Sequence, residues 1–400
     1  MPGVTKRIYE HRLMEIIAMW DNQLKTIEKL LPQFYTNEDV ISLLKSFYPH
    51  EWNLVQSQYE YYTIKDKYIK RIKGTTRYNM PSPEKLINRS PTFRRIKSSK
   101  KKSEYSKLYN QENVDYEYQK LEEKRKPKIE RISKKIEGAK LKTQQMTPEF
   151  LDQLIGLYER KNTSQKDRMY ILLELKKYYN YRIIQFFFKV NDTELNKQLR
   201  ETAFDHLQSF NFQPRLRRQK YMQIHTKNKK YREFLKKEYP FQTYSIPLDP
   251  DELEYRINNS AEQKIKSYDF FISHSSKDSK MVQRLILYLN SKGKNVYCDW
   301  ISDSDYLKRN LVREATLKVI EKRLEQSDSV LFVSSPRSAD SIWCKYELNY
   351  FLSLNKPIYQ ISISDIENEK YEITTINDKW FYDTDYKNFS LFKNQQNQHN

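Results

Sequence analysis

Glycine, cysteine and long apolar runs are all scarce in this sequence. Its 400 residues include 5 glycines, 14 prolines and 2 cysteines, which are Cys298 and Cys344. So little glycine excludes collagen-like and glycine-rich linker proteins and favours a helical chain. Two cysteines alone make neither a disulfide framework nor a four-ligand zinc site, so we expect a reduced, cytoplasmic compartment.

No part of the sequence has the composition of a membrane span. A transmembrane helix needs about 18 or more consecutive apolar residues, and no such run occurs. The segment Met1 to Trp20 carries charges throughout and lacks the apolar centre of a secretory signal. We therefore expect no membrane partner, and the length fits two or three domains.

Positive charge is abundant but unevenly distributed. The chain has 72 Lys and Arg against 52 Asp and Glu, a net charge of +20. Residues 268–400 hold 18 of each sign, so the whole excess lies in residues 1–267. This asymmetry predicts a basic part that meets a polyanion and a neutral part with a different task. The basic runs 98–102 and 214–237 could bind nucleic acid through phosphate contacts. A solvated, lysine-rich surface is the alternative, and it stays open.

Helical periodicity dominates the basic part of the chain. Apolar residues recur at three- and four-residue steps over residues 5–31. Asn37 is a candidate cap for a second helix that ends near Phe47, and a tyrosine-rich third helix follows. We assign residues 1–73 to a helical N-terminal segment.

Two linkers are predicted on either side of a second helical region. Residues 74–104 are rich in proline, serine and lysine, which predicts a mobile basic linker or loop. Residues 105–238 predict a basic helical array with a sensor or regulatory role, interrupted at Pro127. Residues 239–266 contain three further prolines and predict a second linker.

The pattern changes to alternating strands and helices after residue 266. Short apolar strands are predicted at residues 268–273, 295–300, 329–334 and 357–363, with helical segments between them. Such alternation predicts an α/β fold, with a parallel sheet covered by helices on both faces. Ligands of such sheets bind at the carboxyl ends of the strands.

Two segments of this part resemble the signature boxes of one family. Asp269–Asp278 reads D-F-F-I-S-H-S-S-K-D and looks like the first box of a Toll/interleukin-1 receptor (TIR) domain. Ser338–Leu348 reads S-A-D-S-I-W-C-K-Y-E-L and resembles the segment that holds the catalytic glutamate in bacterial and plant TIR domains. The resemblance covers about residues 267–390. It implies a flavodoxin-like TIR domain at 267–400.

The resemblance also implies an activity, which is NAD+ glycohydrolase or cyclase chemistry with Glu347 as the catalytic carboxylate. A single carboxylate is enough to catalyse cleavage of the nicotinamide–ribose bond. Breaking the nicotinamide–ribose bond produces an oxocarbenium-like centre that a carboxylate stabilises or captures. Nicotinamide leaves as a neutral molecule, so no proton donor is needed. NAD+ is then the substrate, and no separate cofactor is expected. The alternative is that Glu347 is a solvent-exposed helix residue with no catalytic role.

Six further side chains are candidates for contact with the substrate: Ser273, His274, Asp299, Trp300, Ser341 and Trp343. Ser273 and His274 end the first strand, where the family places nucleotide contacts, and Asp299 and Trp300 end the second. Trp300 can stack on a ligand ring or pack beneath the next loop. Ser341 can cap the following helix and touch a ligand as well. The six histidines show no metal-ligand spacing, so no metal is expected.

By resemblance, the expected setting is bacterial antiviral defence, in which a trigger makes TIR domains self-associate through the helical region. The loop at 301–310 lacks the Pro-Gly common there in relatives, which use this loop to gate the site and to contact other domains. Two other functions stay open. The chain could be a non-catalytic scaffold that recruits TIR domains, or a nucleic-acid-binding protein with a regulatory TIR domain.

Overall fold

The computed structural model describes residues 4–215, 224, 226–308 and 312–376. These residues fall into two compact units. The first lies within Met1–Glu137 and Gln208–Gln223, and the second lies within Gly138–Leu207 and Ile224–Asn400. No helix of the described ranges combines the length and the apolar character that a bilayer crossing requires.

The first unit is helical. Its helices are α1 Val4–Ile27, α2 Asn37–Phe47, α3 Pro49–Lys73, α4 Pro83–Leu86, α5 Pro91–Ile96, α6 Ser99–Leu108 and α7 Gln111–Lys140, the last running past the boundary at Glu137. Trp20 of α1 is fully buried, and its ring centroid lies 5.7 Å from that of Trp52 on α3. The cap of α2 is Thr36 and not Asn37, because Thr36 and Asp39 exchange side-chain and backbone hydrogen bonds.

Residues 74–104 differ from the predicted mobile loop, because they form the short helices α4 and α5 and the start of α6. Pro83 and Pro91 occupy the first turns of their helices, where a missing N–H costs nothing. The hydroxyls of Ser90 and Ser98 accept backbone N–H groups and cap the helices that follow. The residues that suggested a loop therefore start helices here.

The predicted interruption at Pro127 is wrong, because α7 continues through this residue. A proline within a helix removes one backbone hydrogen bond and leaves the carbonyl four residues earlier without its usual donor. Pro127 and Glu123 are both exposed. Water can therefore satisfy the Glu123 carbonyl, which lowers the cost of the proline.

The second unit begins with helices that precede a sheet. They are α8 Leu151–Glu159, α9 Gln165–Leu175, α10 Tyr181–Thr193, α11 Lys197–Ser209, α12 Lys229–Lys237, α13 Pro250–Asn259 and α14 Ala261–Lys264. The predicted linker at 239–266 thus contains α13 and α14. Leu253 and Ile257 of α13 pack with Val319 in a small apolar core.

Five strands of the described residues form one sheet. These strands and the helices between them are β1 Tyr268–Ser273, α15 Ser279–Ser291, β2 Val296–Tyr297, α16 Asp299–Ser302, α17 Glu314–Glu325, β3 Ser327–Ser334, α18 Pro336–Ala339, α19 Ile342–Ser353, β4 Ile358–Ser362, α20 Ile363–Glu367 and β5 Thr374–Thr375. The strand order across the sheet is β2-β1-β3-β4-β5. β1 to β4 are parallel, and β5 pairs antiparallel with β4. This confirms the predicted flavodoxin-like α/β class.

Helices cover both faces of the sheet, as the apolar pattern of β1 and β3 requires. Neighbouring residues of a strand point to opposite faces. Ile272 and Leu331 pack in one core with α15 and α20, whereas Phe271 and Val330 pack in another with α17 and α19.

β2 is shorter than predicted and ends at Tyr297. The Cys298 carbonyl accepts the amides of Ile301 and Ser302 at 3.0 and 2.7 Å, which closes a helical turn. Asp299 therefore begins α16 and does not end a strand. At the free edge of β2, the Gln144 side-chain amide pairs with both the N–H and the carbonyl of Val296, at 3.0 and 2.7 Å. This edge strand is thus covered by the segment before α8.

Candidate active site

A pocket of about 190 Å³ opens at the carboxyl end of β1. Its walls come from the end of β1, the segment 299–308, α17 and the first half of α19. Five of the seven predicted site residues line it: His274, Asp299, Ser341, Trp343 and Glu347. The other two, Ser273 and Trp300, are not among the lining residues, and each is hydrogen-bonded to a residue that is.

Glu347 is held against the end of β1 by one hydrogen bond. The Ser273 hydroxyl, which is fully buried, donates to Oε2 of Glu347 at 2.7 Å. Cys344 and Leu348 anchor α19 on the sheet beside Phe271. Because positions three and four apart share one helix face, this anchoring places Glu347 next to the strand end. The carboxyl group therefore faces the pocket and not open solvent.

The environment of Glu347 disfavours its charged form. The pKa of Glu347 is raised from 4.5 to about 8 by the sum of three effects: burial raises it most, the hydrogen bond from Ser273 lowers it, and the nearby carboxylate of Asp299 raises it. The Glu347 carboxyl group is therefore mainly protonated at neutral pH. A ligand that brings positive charge beside Glu347 favours the carboxylate and releases a proton.

The raised pKa predicts a pH-dependent stabilisation by the substitution Glu347→Gln. The native state binds this proton more tightly than the unfolded chain, so wild-type stability falls as pH rises between 4.5 and about 8. Glutamine cannot ionise, so we expect the variant to exceed wild type in Tm at pH 9 and to lose most of this advantage at pH 5. Thermal unfolding of both proteins at both pH values measures this. An equal difference at the two pH values would show that Glu347 is not buried in this way.

His274 has a defined tautomer. The indole N–H of Trp300 donates to Nε2 of His274 at 3.0 Å. Because an indole can only donate, Nε2 carries no proton, and Nδ1 carries the hydrogen that it donates to the Ile272 carbonyl at 3.1 Å. Trp300 also packs against the sheet core, which corresponds to the packing alternative of the sequence analysis. Its contribution to the pocket is to orient His274.

Asp299 and Lys308 carry charge at the rim of the pocket. Both are exposed and both belong to the segment 299–308. Among the described lining residues, Lys308 is the lone lysine or arginine. The rim thus offers a carboxylate for hydroxyl donors and an ammonium for anionic groups.

Ser341 and Trp343 shape the side of the pocket where α19 begins. Ser341 caps this helix, since its hydroxyl accepts the Cys344 amide at 3.4 Å. Trp343 packs partly against the core beside α19 while it lines the pocket. The expectation that Ser341 can be both a cap and a wall residue is compatible with this placement.

A group of possible metal ligands lies beside the pocket, although sequence spacing predicted none. Donor atoms of His274, Cys298 and Asp299 lie within 4.8 Å of one another. Both ring nitrogens of His274 are engaged in hydrogen bonds, however. Burial also raises the pKa of the Cys298 thiol well above its usual range, which disfavours the thiolate that binds metals. The arrangement does not suit a cation.

The two basic runs are placed differently. In 98–102, Lys101 lies 3.5 Å from Glu28, and the Lys102 ammonium lies 5.4 Å from the centre of the Tyr35 ring. Intramolecular partners therefore occupy two of its three lysines. In 214–237, residues 216–223 and 225 lie outside the described residues, and Lys229–Lys237 form α12. Nucleic-acid binding by these runs stays a prediction.

Comparison with known proteins identifies the family of the chain. The family model described as "TIR domain" matches residues 270–390. The chain is also 33% identical over 365 residues to "Putative cyclic ADP-D-ribose synthase TIR2" of Cytobacillus dafuensis, which covers 91% of this chain and 93% of that protein. The chain belongs to the TIR domain family. The alignment is too long to be confined to the TIR domain, so this relative shares the helical part as well.

A second relative matches the TIR domain alone. "Probable 3' cyclic ADP-D-ribose synthase ThsB'" of Bacillus cereus (strain MSX-D12) is 33% identical over 121 residues, which are 29% of this chain and 61% of that protein. No solved structure matches the chain significantly.

Sequence reasoning missed a buried ion network that connects the TIR domain to the helices before it. We define it by six residues: Glu174, Lys177, Arg256, Lys266, Asp303 and Arg323. Asp303 lies in the segment 299–308 and is fully buried. Its carboxylate accepts from Arg323 Nε at 2.8 Å and from Lys177 Nζ at 3.1 Å. Burial opposes its charge, but Arg323 and Lys177 hold the pKa of Asp303 below its usual range.

Glu174 of α9 is the second carboxylate of the buried ion network. It accepts from Lys177 and Lys266 at 2.8 Å each and from Arg256 at 3.2 Å. Burial alone would raise the pKa of Glu174, but these three cations hold it well below its usual range. The one hint in the sequence is a single carboxylate inside the apolar run Ile171–Leu175. The network fixes the pocket segment 299–308 to the helical part of the second unit.

Proposed function

We propose that this TIR domain cleaves the nicotinamide–ribose bond of NAD+, with Glu347 as the catalytic carboxylate. The observation that carries the proposal is a glutamate at the pocket wall whose carboxyl group is hydrogen-bonded to buried Ser273. The names of both relatives, as cyclic ADP-ribose synthases, favour a cyclic product over free ADP-ribose.

The proposed reaction needs one negative charge near the sugar carbon. The bond between the ribose C1 atom and the nicotinamide nitrogen breaks, and its electron pair stays with the ring, which leaves neutral. The positive charge that develops on the sugar is stabilised by the Glu347 carboxylate. In cyclisation an atom of the same molecule attacks the sugar carbon, and in hydrolysis water attacks and loses a proton.

The other pocket residues have supporting roles in this proposal. Ser273 fixes one oxygen of Glu347 and favours its charged form. Lys308 meets the pyrophosphate, and Asp299 accepts hydroxyl groups of the substrate. The positively charged nicotinamide ring favours the Glu347 carboxylate at neutral pH, whereas burial of Glu347 opposes its charge.

The pH profile tests this role of Glu347. The dependence of kcat/KM on pH reports groups of the free enzyme. We expect kcat/KM for nicotinamide release to rise with pH and to level off above about 8, where Glu347 is ionised. The Ser273 hydrogen bond lowers the pKa of Glu347, so its loss in Ser273→Ala should move the midpoint of the profile to higher pH. Ser334→Ala, at the end of β3, is the matched control. A profile that falls with rising pH, or an unmoved midpoint in Ser273→Ala, would contradict the proposal.

We place this activity in bacterial antiviral defence, with self-association of TIR domains as the activating step. The support is the family membership and the resemblance of the sequence boxes. Nicotinamide release per protein molecule that increases with protein concentration, together with growth in mass by light scattering, would support the activating step. A rate per molecule that is independent of concentration would contradict it.

A further inference from the structure

A second cavity among the described residues is larger than the Glu347 pocket. A cleft of about 420 Å³ lies between the start of α9 and the helices α13 and α14. All of its lining residues fall within 157–262, before the TIR domain begins. We call it the α9–α13 cleft. Its volume is in the range of about 300–1,000 Å³ that is usual for small-molecule sites.

Two cations without a carboxylate partner line the α9–α13 cleft. Among the described residues, no carboxylate lies within ion-pair distance of Arg160 or Lys166. The Lys166 ammonium instead lies over three tyrosine rings, 5.1 Å from the centre of Tyr244, which is not a lining residue, 5.6 Å from that of Tyr170 and 5.9 Å from that of Tyr255. The Tyr255 side chain is 56% exposed. The cleft thus offers positive charge for an anion and an aromatic face for a planar ring.

Hydrogen-bonding groups complete the lining. Asp167 contributes an exposed carboxylate, which accepts from hydroxyl groups, and Asn162 and Asn259 contribute side-chain amides. Glu262 also lines the cleft, but its buried carboxylate is already paired with Arg256. A nucleoside phosphate has matching parts, namely a phosphate for the cations, a base for the tyrosine face and ribose hydroxyls for the Asp167 carboxylate. We propose that the α9–α13 cleft is a second ligand site that binds a nucleoside phosphate.

The wall of the α9–α13 cleft contacts the buried ion network directly. The Arg256 guanidinium lies 4.0 Å from the centre of the Tyr170 ring and donates to Glu262 at 3.2 Å. Its Nη1 also donates to the Tyr306 hydroxyl at 2.7 Å. Tyr306 belongs to the segment 299–308 that lines the Glu347 pocket. A ligand that shifts the cleft wall therefore acts, through Arg256, on the segment beside the proposed active site.

Binding is tested on the full chain that carries Glu347→Gln, so that turnover cannot confuse the result. The probes for calorimetry are AMP, ATP, adenosine and inorganic pyrophosphate. We expect AMP or ATP to bind with a Kd below about 100 μM, and adenosine and pyrophosphate to bind more weakly because each lacks one part of the match.

Three variants locate the bound nucleotide. Arg160→Met with Lys166→Met should weaken binding at least about tenfold, and Tyr255→Ala should weaken it about fivefold. Lys161→Met is the matched control, because Lys161 is exposed, adjacent in sequence and outside the lining. It should change Kd less than about twofold. No binding below about 1 mM, or equal Kd values for the double variant and Lys161→Met, would overturn the proposal. Binding that is lost only in Lys308→Ala would also overturn it, because it would place the nucleotide in the Glu347 pocket.

The consequence for turnover rests on the proposed function, whereas the binding experiment does not. With wild-type protein, saturating nucleotide should change KM or kcat for nicotinamide release by at least about threefold, through the segment 299–308. The double variant should not respond. Unchanged kinetics at saturating nucleotide would overturn the coupling, and absence of any nicotinamide release would count against the proposed function instead.

Discussion

Replacing Glu347 with glutamine should lower the rate of nicotinamide release by about 10²- to 10³-fold or more, because the variant loses the charge that stabilises the transition state. Glutamine has nearly the same shape and can still accept the Ser273 hydroxyl through its carbonyl oxygen. The effect should therefore appear in kcat, with an unchanged fold. Chromatographic measurement of nicotinamide over a range of NAD+ concentrations separates kcat from KM.

The control for this variant is Glu325→Gln. Glu325 pairs with Lys322 at 2.8 Å and lies outside the pocket lining. The rate for this protein should stay within about twofold of wild type, because removing a surface ion pair changes stability by less than about 1 kcal/mol. A Glu347→Gln rate within tenfold of wild type would show that Glu347 is not the catalytic carboxylate. That result would favour the non-catalytic scaffold function.

The substitution Arg323→Met should lower the free energy of unfolding by about 3–5 kcal/mol, because it leaves the buried Asp303 carboxylate without its main partner. Both side chains of this pair are 0% exposed, and Nε of Arg323 lies 2.8 Å from Oδ2 of Asp303. Methionine fills much of the space but supplies no charge. Denaturant titration of the full chain measures the change.

The same substitution at Arg313 provides a matched control. Arg313 also forms an ion pair of 2.8 Å, with Asp251, but the side chains are 56% and 58% exposed. Solvent screens such a pair, so Arg313→Met should change the free energy of unfolding by less than about 1 kcal/mol. Equal effects of the two substitutions would show that the buried ion network does not stabilise the second unit.

Local patterns predicted the sheet and most of the pocket. The apolar strands of the C-terminal part lie close to their predicted positions, because strands buried on both faces leave a clear apolar signal. The resemblance of two short boxes placed Ser273 and Glu347 in one site, 74 residues apart in sequence. The hydrogen bond between them was not predicted and is seen only in the structure.

Features that depend on distant partners could not be predicted in this way. Lys177 and Asp303 are 126 residues apart, and neither has a periodic or spacing signal that indicates the other. The role of Trp300 as a donor to His274 depends on the turn at Cys298, which ended the strand earlier than apolar content indicated. Pro83 and Pro91 indicate a loop by composition, because proline disfavours the helix interior, yet both lie in the first turn of a helix, where proline is favoured.

The central claim, that Glu347 of this TIR domain performs chemistry on NAD+, is tested most directly by product analysis after expression in bacteria. Cells that express wild type beside cells that express Glu347→Gln are extracted, and NAD+, nicotinamide, ADP-ribose and its cyclic forms are separated by chromatography. Our account predicts NAD+ consumption with a cyclic ADP-ribose product in the wild-type cells alone, at equal protein levels. Equal NAD+ consumption and equal products in the two cultures would contradict it.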